Sequence, residues 1–162
     1  LDGQEAVVEE VLVRAVGEAG AFGVLAAGNM PVEDLEAEVR ALQAGAPEVP
    51  FAVNLITIAP NYQAHLRKVA EIGGPFVVFA GSFPRKGEVQ AAQASGAKVM
   101  CFASTESIAA RMIDYGTDAL ILEGSEAGGI SATSRPWSLS RRSSSASTRS
   151  PWSSPGVWPR AG

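Results

Sequence analysis

Residues 119–129 read Ala-Leu-Ile-Leu-Glu-Gly-Ser-Glu-Ala-Gly-Gly, a short apolar run followed by an acidic residue and a glycine-rich loop. The run at 119–122 predicts a buried strand, because it is wholly apolar and too short for a helix. Glycine after a strand lets the backbone approach a ligand closely. An ordinary strand-to-helix turn has the same composition, so this loop alone does not establish a site.

The chain before this stretch alternates short apolar runs with amphipathic segments. The apolar runs predict five strands, and the segments between them predict helices with apolar residues at helical spacing. Proline suits the first turn of the second helix, and Ser104 or Thr105 can cap the last one. The predicted strands are 22–28, 51–56, 76–80, 98–102 and 119–122, and the predicted helices include 5–19, 61–72 and 87–95.

The periodicity of each helical segment also predicts its buried face. Glycines at the ends of three segments, Gly20, Gly96 and Gly116, are expected to terminate the helices. The predicted buried residues are Val8, Leu12 and Ala15, with Val11 and Val16 widening the stripe; Leu35, Val39 and Leu42; Leu66, Val69 and Ile72; and Ile108, Ala109, Met112 and Ile113.

Strands that are apolar throughout are typical of a parallel sheet covered on both faces, and strand-helix alternation requires right-handed crossovers. A doubly wound sheet and a barrel both fit this pattern. We favour the barrel, because every strand ends in a small or polar residue. The predicted fold is therefore α/β, a partial (β/α)8 TIM barrel with about five of its eight strands, followed by a disordered, non-native tail.

The formal charge of the chain divides sharply near residue 130. Residues 1–129 hold all 17 acidic residues and 8 of the 13 Lys and Arg, a net charge of −9, whereas residues 130–162 hold five arginines and no acid. One cysteine excludes a disulfide framework and favours a reducing, cytoplasmic setting. We expect Cys101 to be a small core residue and His65 to be a surface residue on a helix. No run is long enough to span a membrane.

Three stretches in order resemble the nitronate monooxygenase family, also called 2-nitropropane dioxygenase-like, which includes flavin-dependent enoyl-acyl-carrier-protein reductases. They are Gly20-Ala21-Phe22-Gly23-Val24-Leu25-Ala26-Ala27-Gly28, Pro50-Phe51-Ala52-Val53-Asn54-Leu55, and Glu123-Gly124-Ser125-Glu126-Ala127-Gly128-Gly129. The resemblance covers residues 1–129, and it implies a TIM barrel that binds FMN at the carboxyl ends of its strands. It also places the family's first strand before Leu1.

The resemblance implies three cofactor-binding residues: Asn54, Glu123 and Gly128. The implied activity is oxidative denitrification of alkyl nitronates with FMN and O2, and the alternative is FMN-dependent reduction of an enoyl-acyl-carrier-protein. The family has a histidine after the double glycine, where it takes the proton alpha to the nitro group. Ile130 occupies that position, so we expect no intact catalytic base and an inactive chain. The implied partner is a small nitronate or nitroalkane, with no metal, nucleic acid or membrane; the oligomeric state is left open.

Residues 130–162, a Ser/Arg/Pro-rich segment, are best explained as an out-of-frame translation. When the codons permitted for residues 151–159 are regrouped one base earlier, they allow Val/Leu-Val-Val-Ala-Gly-Gly-Leu-Ala, which resembles the family's next strand and phosphate loop. If one C has been lost after Gly129, putting it back likewise restores Gly-His-Leu at the junction. The nucleotide sequence across codon 130 tests this hypothesis.

The loss of those later loops predicts little or no FMN binding, since the phosphate of FMN sits on loops after the seventh and eighth strands of such barrels. It also leaves two unpaired sheet edges. A different class of function stays open, a nucleic-acid-binding module that uses the basic tail. Salt-dependent binding of nucleic acid that is lost when residues 130–162 are removed would support this function.

Overall fold

The computed structural model of the protein describes residues 4–74 and 76–124. Helices and strands alternate throughout, starting with a helix. The elements are α1 Gln4–Glu18, β1 Gly23–Ala26, α2 Val32–Gly45, β2 Phe51–Ile56, α3 Tyr62–Ile72, β3 Phe76–Ala80, α4 Lys86–Ala94, β4 Lys98–Ala103, α5 Glu106–Asp114 and β5 Ala119–Leu122. The predicted bounds of the second, third and fifth strands are confirmed. The predicted tail at 130–162 lies outside the described residues.

All five strands are parallel and lie in the order β1-β2-β3-β4-β5. A doubly wound sheet reverses its strand order at a switch point, and this sheet does not. The described residues therefore form part of a (β/α)8 barrel, as predicted.

The core lies between the helices and one face of the sheet. Alternate strand residues such as Val53, Phe79 and Cys101 are fully buried there, in one cluster with residues of all five helices. Leu35, Val39 and Leu42 of α2 belong to this cluster, and so do Leu66 and Val69 of α3. The predicted inward stripes of those two helices are thus confirmed.

The other face of the sheet, which we call the open face, carries every second residue of each strand. The first of these residues in β1 to β5 are Val24, Ala52, Phe76, Lys98 and Ala119. No helix among residues 4–74 and 76–124 packs on it. Val24 is 44% exposed, whereas Leu25, its neighbour on the helix-covered face, is fully buried. Such a face corresponds to the interior of a closed barrel.

The predicted stripe of α1 is wrong at Val11, Leu12 and Ala15, and the side chain of Val8 lies outside the described residues. Leu12 is 61% exposed and Ala15 is exposed, whereas Val13 is buried. Helix α1 packs closely on β1 and on the loop before β2. A Cβ on Gly23 would lie 2.5 Å from the backbone oxygen of Val13, and a Cβ on Gly17 would lie within 2.0 Å of Val49. Since α1 carries apolar residues around most of its circumference, periodicity could not select the docked face.

Helix α5 follows its prediction except at one residue. Ala109 and Met112 are buried and Ile108 packs on the core, but Ile113 is 45% exposed. One residue further along a helix turns the side chain by about 100°. The predicted cap is confirmed for Thr105, whose hydroxyl oxygen accepts a hydrogen bond from the backbone N–H of Ile108.

Strand β5 is positioned by Asp118, which precedes it. The Asp118 carboxylate accepts hydrogen bonds from the backbone N–H of Val99 at 2.9 Å, from Lys98 Nζ at 3.0 Å and from Gln93 Nε2 at 3.2 Å. Burial opposes the ionisation of Asp118, but these hydrogen bonds outweigh it and lower its pKa. This anchor sets the register of the strand that ends just before Glu123.

Candidate functional site

The carboxyl ends of the five parallel strands meet at one edge of the sheet. In (β/α)8 barrels this edge carries the chemistry, because the loops after the strands converge there. The residues that follow or close the strands at this edge are small or polar: Gly28, Thr57, Gly81, Ser104 and Glu123. The candidate site is therefore this edge of the open face.

Asn54 is the polar residue that the sequence singled out within an apolar strand. It lies on the open face of β2, with Ala26 and Val78 beside it on the neighbouring strands. Its Oδ1 atom is buried and has no hydrogen-bond partner among the described residues. A buried amide oxygen without a partner costs about 1–3 kcal/mol, and such groups call for a specific explanation.

Glu123 lies at the same edge, directly after β5. Its backbone N–H donates to the carbonyl of Ala103 at 3.2 Å, and its side chain is half-buried. Two strands separate β5 from β2, so Asn54 and Glu123 stand about 14 Å apart along a flat sheet, less where the sheet curves. They can flank an extended ligand but cannot both hold one small group. Gly128 and Ile130 lie outside the described residues.

The loop after β3 is fastened to the end of β2 by Thr57, a residue that sequence reasoning missed. Its backbone N–H donates to the carbonyl of Ala80 at 2.9 Å. Its hydroxyl accepts from the backbone N–H of Ser82 at 2.9 Å, and lies 3.1 Å from the carbonyl of Ala80 and 3.0 Å from that of Ser82. The hydroxyl has one proton to donate, so one carbonyl receives it. A hydroxyl residue directly after a strand was the only available signal.

The expectation that His65 is a surface residue is wrong. The side chain is 1% exposed, and its Nε2 lies 2.8 Å from the backbone oxygen of Met30 in the loop after β1. A carbonyl only accepts, so Nε2 carries the proton. His65 thus holds the loop after β1, at the candidate edge, from the helix-covered side. The helical periodicity of α3 alone could not reveal this contact.

Cys101 is a core residue, as predicted, although it lies within β4 rather than at its end. Its side chain is on the helix-covered face and fully buried, and the hydroxyl of Thr117 lies 3.4 Å from its Sγ atom. Burial raises the pKa of the thiol, so it stays protonated. Cys101 therefore takes no part in the candidate site.

The fit of a flavin can be judged from these residues. A flavin ring has one polar edge and an otherwise apolar body. The unpartnered Asn54 amide offers a hydrogen bond to a polar edge, and the adjoining open face is apolar and partly exposed. The residues present therefore fit the ring end of FMN.

A sequence model described as nitronate monooxygenase matches residues 56–143. The match includes Glu123 and Gly128, starts two residues after Asn54, and continues into the segment for which we predict a slipped frame. The frame hypothesis stays a prediction that the nucleotide sequence tests.

Solved structures with the same fold are similar to most of this chain. A point mutant of FabK from Thermotoga maritima has a TM-score of 0.80 and 26% identity, covering 91% of this chain and 49% of FabK. Nitroalkane oxidase from Streptomyces ansochromogenes has a TM-score of 0.69 and 25% identity, covering 78% of this chain and 45% of the oxidase.

A curated relative comes from Mycobacterium tuberculosis. It is named (3aS,4S,5R,7aS)-5-hydroxy-7a-methyl-1-oxo-octahydro-1H-indene-4-carboxyl-CoA dehydrogenase, and it is 28% identical over 118 residues, which are 73% of this chain and 33% of the relative. The chain thus spans a third to a half of the length of these proteins. Within residues 4–74 and 76–124, every helix is too short or too polar to cross a bilayer.

Proposed function

Because the chain belongs to the nitronate monooxygenase family, we propose that it is part of a flavin-dependent oxidoreductase that binds FMN at the carboxyl edge of its sheet. The observation that carries the proposal is the buried, unpartnered Oδ1 of Asn54 on the open face. When bound, FMN would take electrons from the substrate and pass them to O2. Asn54 would bind the polar edge of the flavin ring, and Glu123 and Gly128 would flank the ring.

Replacing Asn54 by leucine separates a ligand-binding role from a structural one. If the amide serves a ligand, Asn54→Leu removes an unsatisfied buried group and is expected to stabilise the ligand-free chain by about 1–3 kcal/mol. The same change is expected to weaken FMN binding about threefold to tenfold, the value of one hydrogen bond. Urea unfolding and flavin fluorescence measure the two effects.

A matched control replaces Gln90, an exposed amide on α4, by leucine. Neither stability nor FMN binding should respond beyond small surface effects. If Asn54→Leu destabilises the chain and leaves FMN binding intact, the amide has a structural role and the proposal loses its support. We expect the wild-type affinity itself to be low, because the Ser/Arg/Pro-rich sequence at 130–162 stands where the family's phosphate-binding loops would follow.

The proposed reaction is the oxidation of nitronates. A nitronate has already lost the proton alpha to its nitro group, whereas a neutral nitroalkane must first give that proton to a base. With Ile130 at the family's histidine position, any O2 consumption should require preformed nitronate. Equal rates with neutral nitroalkane and with nitronate, measured with an oxygen electrode, would show that another base acts.

A second candidate is reduction of an enoyl thioester. The name of the mycobacterial relative specifies a carboxyl-CoA compound, which is a thioester. An assay of enoyl thioester with NAD(P)H, run beside the nitronate assay, distinguishes the two reactions. NAD(P)H oxidation that depends on the thioester, without O2 uptake on nitronate, would favour the second candidate.

A further inference from the structure

Ile56 is the last residue of β2 and shares the open face with Asn54, two residues earlier. Side chains two apart on a strand are neighbours on one face, about 6–7 Å apart. Ile56 therefore extends the surface beside the Asn54 amide toward the carboxyl edge. It pairs with Ala80 of β3, whose side chain is a single methyl group.

Two glycines make room for this side chain. A Cβ on Gly28 would lie 2.4 Å from Cδ1 of Ile56, and a Cβ on Gly81 would lie 3.0 Å from its Cγ2. Gly81 has a φ of +85°, which itself favours glycine. Gly28 has no such φ, so only the space taken by Ile56 requires glycine there.

The seat of Ile56 is rigid on the β3 side. Gly81 lies between Ala80 and Ser82, and both of these are hydrogen-bonded to Thr57. The backbone of the β3 loop is thereby held against the isoleucine. A side chain held this way can act as a fixed wall of a binding site.

We propose that Ile56 is the apolar contact residue of the flavin site: the ring packs on the Ile56 side chain while its polar edge reaches Asn54. The inference rests on the function proposed above. It follows from one polar and one apolar group, adjacent on the open face, which match the polar edge and apolar body of the ring.

Methyl and amide NMR of the full chain during an FMN titration tests the contact even at low affinity. The Cδ1 methyl of Ile56 and the side-chain amide of Asn54 are expected to shift together along one binding curve. The Cδ1 methyl of Ile113, 45% exposed on α5, is the matched control and should not move. Ile56→Ala is expected to weaken FMN binding about fivefold to tenfold, and Ile113→Ala to leave it unchanged.

The outcomes separate the two claims. If Asn54 shifts and Ile56 does not, or if Ile56→Ala binds FMN as the wild type does, the Ile56 contact is overturned and the flavin proposal stands. If neither residue responds at millimolar FMN, both proposals fail. A shift of Ile113 equal to that of Ile56 would indicate nonspecific binding and would also overturn the contact.

Discussion

The tight contact between Gly28 and Ile56 predicts a large coupling between substitutions at the two positions. Carbon atoms of neighbouring side chains normally lie 3.5–4.0 Å apart. A Cβ on Gly28 would lie 2.4 Å from Cδ1 of Ile56, more than 1 Å too close. The clash falls on the end of a side chain that can turn away, so Gly28→Ala in the wild type is expected to cost about 1 kcal/mol, the low end of the usual cost of overpacking.

In the Ile56→Ala background the same substitution should become harmless. The nearest remaining atom at position 56 would be Cβ, 3.6 Å from the new methyl group, which is ordinary contact. Since Gly28 has no positive φ, alanine there should then stabilise by about 0.4–1 kcal/mol through the unfolded state. The coupling free energy is thus expected to reach about 2 kcal/mol.

Urea unfolding of the four variants measures this coupling. The control is Gly87→Ala, because a Cβ on Gly87 meets nothing within 4 Å and the residue lies in α4. That change should be neutral or stabilising, by the same amount in both backgrounds. A coupling between positions 28 and 56 below about 0.5 kcal/mol would falsify the close approach.

Three further predictions concern groups that hold the scaffold of the edge. Asp118→Ala is expected to cost about 1–3 kcal/mol, because the backbone N–H of Val99 loses its acceptor. The pKa of Asp118 is lowered in the folded chain, so the carboxylate contributes fully to the free energy of unfolding above its ordinary pKa of 3.8, and that contribution is lost as the pH falls through the folded pKa. The urea midpoint of Asp118→Asn should therefore fall less on acidification than that of the wild type. Parallel curves for the two proteins would exclude this role. His65→Leu leaves the carbonyl of Met30 without its donor and should cost about 1–3 kcal/mol in urea unfolding, whereas an unchanged midpoint would mean that the bond contributes nothing. Thr105→Ala should cost about 1 kcal/mol through loss of the helix cap, and Thr105→Ser should recover most of it in thermal unfolding.

The strands could be predicted well because each is short, apolar apart from Asn54 and Lys98, and bounded by breakers. Gly73 and Gly74 precede β3 and Gly81 follows it, and Gly116 ends the helix before β5. Helix faces were predictable only where apolar residues occupy one side, as in α2. Helix α1 offered no such contrast, and a contact with Gly23 selected Val13.

The candidate site was predictable in part. Asn54 could be singled out as a polar residue in an apolar run, and its place on the open face near the carboxyl edge agrees with a site there; its role in binding stays a prediction. The contacts of Ile56 with Gly28 and of His65 with Met30 join residues 28 and 35 positions apart. Such pairs depend on the register of neighbouring strands and loops, which local periodicity does not encode.

The open face also explains why the side chain of Val24 remains exposed. Strand residues alternate between the two faces, so Val24 points to the open face while Leu25 points to the helices. Burying a valine side chain fully contributes about 1.5–3 kcal/mol, and Val24 at 44% exposure obtains only part of that. Val24 therefore gains from whatever covers this face, whereas Ala52 and Val78 on the same face are already buried. Asn54 lies beside them with its amide oxygen unpaired in the part of the chain that the structure describes. A ligand or a chain segment that covers this face must satisfy that oxygen, which is why stability and flavin binding should respond to Asn54→Leu in opposite directions.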